Sequence, residues 1–251
     1  MKTLDGKVAI VSGGARDIGR AVSEGLAARG AKVVVNYCNN PADGEITVDA
    51  IKNAGGTAIA VRGDMTRRSD VENLVAECQK AFGNSIDVLV NVVGGLVARK
   101  SLAEMDEEFL EGVMRLNVTS AFLTTQCVIP HMGDGGSIVN FASQAGRDGG
   151  GPGAAAYAAS KGAVMTLTRA MAKELGPSNI RANCVCPGMI STTFHDTFTK
   201  DEVRANVAAS TPLRREGQAN EVADLVSYLA SAESSFVTGA SFDINGGLLF
   251  S

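Results

Sequence analysis

Seven short apolar runs punctuate the chain, at residues 8–11, 32–36, 58–61, 88–90, 137–141, 181–186 and 241–244. Each is continuous rather than alternating in polarity, the pattern of parallel strands covered on both faces. Between them the apolar positions change to helical spacing. Ile18, Ala21, Val22, Gly25 and Leu26 follow i, i+3, i+4, i+7, i+8, with Gly30 placed to end that helix. Val71, Leu74, Val75, Cys78, Ala81 and Phe82 form a second such stripe, with Gly83 beyond it. Residues 154–175 read as a long helix stopped by Gly176 and Pro177. Strands alternating with helices predict right-handed βαβ units in one α/β domain, a doubly wound seven-stranded parallel sheet flanked by helices. The 251 residues suit one such domain, with no linker-like boundary and no internal repeat. The glycine-dense stretch 146–153 is expected as a mobile loop. Residues 191–215 are expected as a helix-bearing excursion that covers the substrate.

Composition narrows the function. Hydrophobic residues make up 45% and charged residues 20%, enough for a core without disulfides or metals. Net charge is −4 with no basic block, so nucleic acid is not an expected partner. The apolar run at 8–11 is too short for a signal peptide, and no stretch is long enough to span a bilayer. A cytoplasmic protein with no membrane partner is expected. The cysteines, Cys38, Cys78, Cys127, Cys184 and Cys186, are odd in number and predict no disulfide framework. Cys184 and Cys186 share one strand face and read as small buried apolar groups. No second Cys or His pair at metal spacing joins them, and His131 and His195 stand alone, so no metal site is expected.

Two segments carry chemistry. Ser12-Gly13-Gly14-Ala15-Arg16-Asp17-Ile18-Gly19 follows the first strand and opens a helix. In that context glycines let the backbone approach a pyrophosphate, and the helix start offers free N–H groups to it. Further on, Tyr157 and Lys161 stand four apart on one helix face. A free tyrosine is a poor base near neutrality, and a neighbouring ammonium is expected to lower its pKa. Tyr157 then takes a proton from an alcohol, or gives one to a nascent alkoxide.

With these motifs in order from about residue 4 to 247, the chain resembles the short-chain dehydrogenase/reductase family. The resemblance implies a Rossmann-type fold and a nicotinamide cofactor. In the family pattern Thr/Ser-Gly-x-x-x-Gly-x-Gly, Ser12, Gly13 and Gly19 match, while Asp17 replaces the middle glycine. Asp17 is expected to cap the helix with its carboxylate turned from the phosphates. The family's adenine-binding aspartate corresponds to Asp64, followed by Met65, and Asn91-Val92-Val93-Gly94 stands for the usual Asn-Asn-Ala-Gly. Ser143 is implied to bond the substrate oxygen and Asn117 to hold a water against Lys161. The 187–192 segment, with Pro187, Gly188, Ile190 and Thr192, is implied to meet the nicotinamide carboxamide. At the end of the second strand a carboxylate would bind the ribose hydroxyls; Asn36 is neutral and Arg16 is near, which favours NADP(H) over NAD(H). Lys161 is also expected to hold the nicotinamide ribose.

The resemblance implies an oxidoreductase acting on a small alcohol or ketone, such as a sugar or polyol. A 3-oxoacyl chain on an acyl carrier protein is an alternative substrate, for which Arg147, Arg214 and Arg215 are the candidate contacts. A catalytically silent dinucleotide-binding sensor or scaffold is the alternative of another class. Family members are commonly tetramers, and the apolar tail Leu248-Leu249-Phe250 fits an interface of a homotetramer.

Overall fold

The computed structural model describes residues 2–250. Its parallel strands are β1 (Val8–Ser12), β2 (Lys32–Tyr37), β3 (Thr57–Arg62), β4 (Val88–Asn91), β5 (Ser137–Phe141), β6 (Arg181–Pro187) and β7 (Ser241–Ile244). They form one sheet in the order 3-2-1-4-5-6-7. The helices are α1 (Asp17–Ala28), α2 (Pro41–Asn53), α3 (Arg68–Phe82), α4 (Glu107–Met114), α5 (Ser120–Val128), α6 (Ala145–Asp148), α7 (Ala155–Leu175), α8 (Thr193–Phe198), α9 (Asp201–Ser210) and α10 (Ala219–Ala230). All seven expected strands are present. Several run a residue or two further than their apolar runs, through Ser12, Tyr37, Arg62, Asn91 and Pro187. Ladder hydrogen bonds use the backbone, so a polar side chain does not end a strand.

The successive side chains of β1 face opposite cores. Ala9 and Val11 pack with Val22 and Leu26 of α1, Val48 and Ile51 of α2, and Val222 and Val226 of α10. Val8 and Ile10 pack with Leu74 and Cys78 of α3, Leu123 of α5 and Met171 and Leu175 of α7. Covering both faces explains the unbroken apolar runs. Cys184 and Cys186 are buried against Val164 and Met165 as small apolar groups. No helix among the described residues is long and apolar enough to cross a membrane.

Within the glycine-dense stretch, residues 149–153 form a loop as expected, while 146–148 are helical. Arg147 anchors the stretch to the sheet edge through Asp243 (2.6 Å) and the Ser241 carbonyl (2.8 Å). Strand order reverses between β1 and β4, the place where open α/β sheets bind ligands outside the strands' carboxyl ends.

A buried polar network holds that place together. The Asn91 amide donates to Asn140 Oδ1 (2.9 Å) and Thr125 Oγ1 (3.1 Å), and Thr124 donates to Asn91 Oδ1 (2.6 Å). Asn140 in turn donates to Thr168 (2.9 Å), so β4, β5, α5 and α7 share one set of bonds. Leaving one of these donors unpaired costs its desolvation. Asn140→Ala, which strands an Asn91 N–H, is expected to lower stability by about 2–3 kcal/mol. Urea unfolding checks this, and an unchanged midpoint would remove the network from its structural role.

Candidate active site

The glycine turn is built by exclusion of side chains. Gly13 lies at φ +67°, and a Cβ there would meet Val93 at 3.2 Å. A Cβ on Gly19 would sit 2.0 Å from the Gly13 carbonyl oxygen, so α1 packs onto the turn only with glycine at that position. Asn36 clamps the turn from β2. Its Oδ1 accepts the Gly13 N–H (3.0 Å), and its amide donates to the Gly63 and Val61 carbonyls. This corrects the expectation for Asn36: the side chain is buried and spent on the turn, and the exposed residues past the strand are Cys38, Asn39 and Asn40. Arg16 is exposed. A second cation arrives from β3, where Arg62 pairs in register with Tyr37 and donates to the Cys38 carbonyl (3.2 Å). It is 24 residues from Cys38, so scanning forward from β2 misses it.

Asp17 also differs from expectation. The capping position of α1 is Arg16, without a side-chain cap, and Asp17 is the first helical residue, at φ +50°. Its carboxylate accepts the Thr193 N–H (3.0 Å) and hydroxyl (2.6 Å) from α8. Ile18 packs against the core beside the turn. Asp64 accepts the Thr66 N–H (2.9 Å) and hydroxyl (2.7 Å) through one oxygen. The Met65 and Asn91 side chains are buried, in the core and in the network above.

Four expected residues do converge. Tyr157 and Lys161 lie in the first turns of α7, and Ser143, just past β5, lies close enough to the Tyr157 phenol to favour its ionised form. Lys161 is buried, donates to the Phe141 carbonyl (2.8 Å) and lies 5.7 Å from the Tyr157 ring centre. Asn117 sits in a π-helical turn, residues Arg115–Thr119, that joins α4 to α5. It grips the loop after β4 by accepting the Gly95 N–H (2.9 Å) and donating to the Gly95 carbonyl (2.9 Å). A Cβ on Gly94 would stand 2.5 Å from Asn117 Oδ1 and 2.8 Å from Lys161 Nζ, so glycine is what lets this loop close over both.

The other wall comes from the end of β6 and from the excursion. Gly188 donates to the Ile244 carbonyl (3.0 Å), Ile190 is buried and bridged to Gly217, and Thr192 donates to the Ile190 carbonyl (3.1 Å). Beside Gly188, Gln144 Oε1 is buried with no hydrogen-bond partner. Phe194 of α8 lies 6.1 Å from the Tyr157 ring and 5.2 Å from Phe198. Arg99 reaches across to the Phe198 and Pro152 carbonyls. Val97 is held at φ +66° in a three-residue turn closed by Ala98 N–H to the Leu96 carbonyl (2.8 Å), a strained shape for a β-branched residue. Gln144, Phe194, Arg99 and Val97 were not read from the sequence. The Phe194 and Phe198 spacing, four apart in the excursion, was the one legible signal among them.

A family model described as enoyl-(acyl carrier protein) reductase matches residues 13–249. An uncharacterized oxidoreductase of Methylorubrum extorquens is 38% identical over 250 residues, 99% of this chain and 100% of that protein. A short-chain dehydrogenase/reductase from Serratia marcescens is similar in structure, with TM-score 0.92 and 34% identity over 98% of this chain and 99% of the other. A blue fluorescent protein from a metagenomic library, solved with NADPH, gives TM-score 0.92 and 33% identity over 99% and 100%. An NADH-dependent reductase responsible for alginate metabolism gives TM-score 0.91 and 33% identity over all of both chains.

The electrostatics reverse one expectation. Burial raises the Tyr157 pKa, with the nearby Ser143 hydroxyl opposing it, so the phenol is neutral in the free protein. The lowered group is Lys161, which burial brings down to about 8. Its folded pKa lies below its unfolded value of about 10.4. The burial penalty is therefore full below about pH 8 and is relieved as pH rises from 8 to 10. Relative to Lys161→Met, the wild-type protein is expected to gain a few kcal/mol of stability across that window. Denaturation of both at pH 7 and pH 10 checks the sign, and a constant difference overturns it.

Proposed function

The chain belongs to the short-chain dehydrogenase/reductase family, and from that premise we propose that it moves a hydride between NADP(H) and a small ketone or secondary alcohol, with Tyr157 exchanging the proton. The observation that carries this reading is the meeting of Tyr157, Ser143, Lys161 and Asn117 at the glycine-lined end of β4 and β5. Gly13, at positive φ, and Gly19 and Gly94, where a Cβ would clash, suit a dinucleotide laid across the switch point. When bound, the nicotinamide supplies or accepts the hydride.

The chain's own residues supply the rest. Reduction needs a proton for the carbonyl oxygen as it becomes an alkoxide, and a neutral, half-buried phenol is already in the donating form. The Ser143 hydroxyl, beside Tyr157, orients the same oxygen. The Lys161 ammonium near the ring stabilises the phenolate left behind. In the other direction the same groups take the alcohol's proton. Gln144 Oε1, buried and without a partner, is an acceptor for an amide or hydroxyl of a bound molecule.

NADP(H) is favoured by two exposed cations, Arg16 and Arg62, and by the absence of a carboxylate in Asn36-Tyr37-Cys38-Asn39. Asp64 is assigned to the adenine, and the backbone at Ile190 with the Thr192 hydroxyl to the carboxamide. A small substrate, sugar or polyol included, is favoured over a carrier-bound acyl chain. Arg147 pairs with Asp243, Arg215 with Glu221, and Arg214 with the Ala209 carbonyl, so each of the candidate basic contacts is engaged within the chain.

Tyr157→Phe is expected to cut turnover by about 10³-fold, within the range for a lost general acid, while cofactor affinity stays within twofold. NADPH oxidation with a panel of small ketones that includes acetoin and ethyl acetoacetate measures the first, and fluorescence titration the second. Retained turnover removes Tyr157 from its role. Arg16→Ala is expected to weaken NADPH binding about tenfold, roughly one charge-assisted hydrogen bond, and to leave NADH binding unchanged. Equal weakening of both would show that Arg16 does not read the 2′-phosphate.

A further inference from the structure

We propose that Asp17 is a positioning residue that ties the substrate wall to the cofactor turn. The inference rests on the oxidoreductase reading for what the wall does, and on geometry alone for the tie itself. Both carboxylate oxygens of Asp17 are engaged by one residue 176 positions away, one by the Thr193 N–H (3.0 Å) and the other by the Thr193 hydroxyl (2.6 Å). Hydrogen bonds to an ionised acceptor are the short, strong kind. The position itself favours glycine. At φ +50° a Cβ crowds the backbone, and glycine takes that conformation without strain. What aspartate adds there is its carboxylate.

The contact reaches the reaction centre in one step. Thr193 opens α8, and the next residue, Phe194, faces Tyr157 with ring centres 6.1 Å apart. The excursion holds together as a unit. Arg204 of α9 binds Asp196 of α8 (2.5 Å) and, with two nitrogens, Glu216 (2.7 Å each). A pull at Thr193 is therefore passed to Phe194 and Phe198 together. The second tie, from Arg99 to the Phe198 carbonyl, is longer at 3.3 Å and uses a neutral acceptor. Asp17 thus sets the distance between the turn that cradles the cofactor and the aromatic wall that confines the ketone. Arg16, 3.9 Å away, balances part of its charge beside the turn.

The test compares wild type with Asp17→Gly, Asp17→Asn, Thr193→Val and the Asp17→Gly/Thr193→Val double variant. Amide hydrogen exchange of residues 193–199 is followed in the free protein by mass spectrometry, with urea unfolding as the control for global stability. Exchange is expected to quicken at least fivefold in Asp17→Gly and Thr193→Val, less in Asp17→Asn, which keeps one acceptor. The double variant should be no faster than the faster single, the sign of one shared contact. With NADPH saturating and the fastest ketone of the panel above, Thr193→Val should raise KM at least fivefold and lower kcat by less than KM rises. Unchanged exchange in Asp17→Gly overturns the tie whatever the activity. Faster exchange with unchanged KM overturns the positioning role. A wild-type protein inactive on the whole panel removes the oxidoreductase reading, and the exchange comparison then decides the tie by itself.

Discussion

Lack of space at the switch point is the constraint on which the rest of the structure depends. Gly19 has no room for a Cβ because the Gly13 carbonyl is already there, and Gly94 has none because Asn117 and Lys161 are. Such close backbone approach needs partners for every N–H and carbonyl brought into it. Asn36 and Asn117 supply them, one on each side of the cleft, each spending its whole amide on backbone. The Asn91 and Asn140 network lies one layer beneath and holds β4 and β5 in register. Four asparagines on different elements thus do a single job, converting a tight backbone crossing into a rigid one.

Much of this was legible in the sequence, for identifiable reasons. The strands and the long helix showed because both sheet faces are covered, which leaves unbroken apolar runs. Tyr157 and Lys161 showed because a spacing of four puts them on one helix face, and Ser143 showed only through the family resemblance. Long-range partnerships did not show. Asn36 reads as a neutral strand-end residue until Gly13 and Gly63 come to it. Arg62 acquires its place only through the register of β3 on β2. Asp17 reads as a cap because local rules know nothing of Thr193. Arg147, in a segment dense with glycine, is held by a strand almost a hundred residues later.

Charge at the centre follows from burial rather than from pairing. Tyr157 and Lys161 share a helix face, yet the lysine spends a hydrogen bond on the Phe141 carbonyl, and each group is pushed toward its neutral form by its surroundings. Below about pH 8 the phenol and the lysine both hold their protons, so the pair carries one positive charge and a phenol in its donating form. That arrangement favours giving a proton over taking one until something polar enters the cleft and restores solvation.

The π-helical turn at Arg115–Thr119 has a consequence for how this segment tolerates change. A π-turn carries one residue more than an α-helical turn, and each residue of an α-helix advances the side chains by about 100°. From residue 107 to 128 the chain is therefore two helices out of phase, which is how Asn117 reaches the β4 loop while Leu123 and Val128 still face the core. Loss of a single residue here would make the helix regular and swing everything on one side of it by roughly a quarter turn or more. The segment is consequently far more sensitive to a change of length than to most changes of side chain.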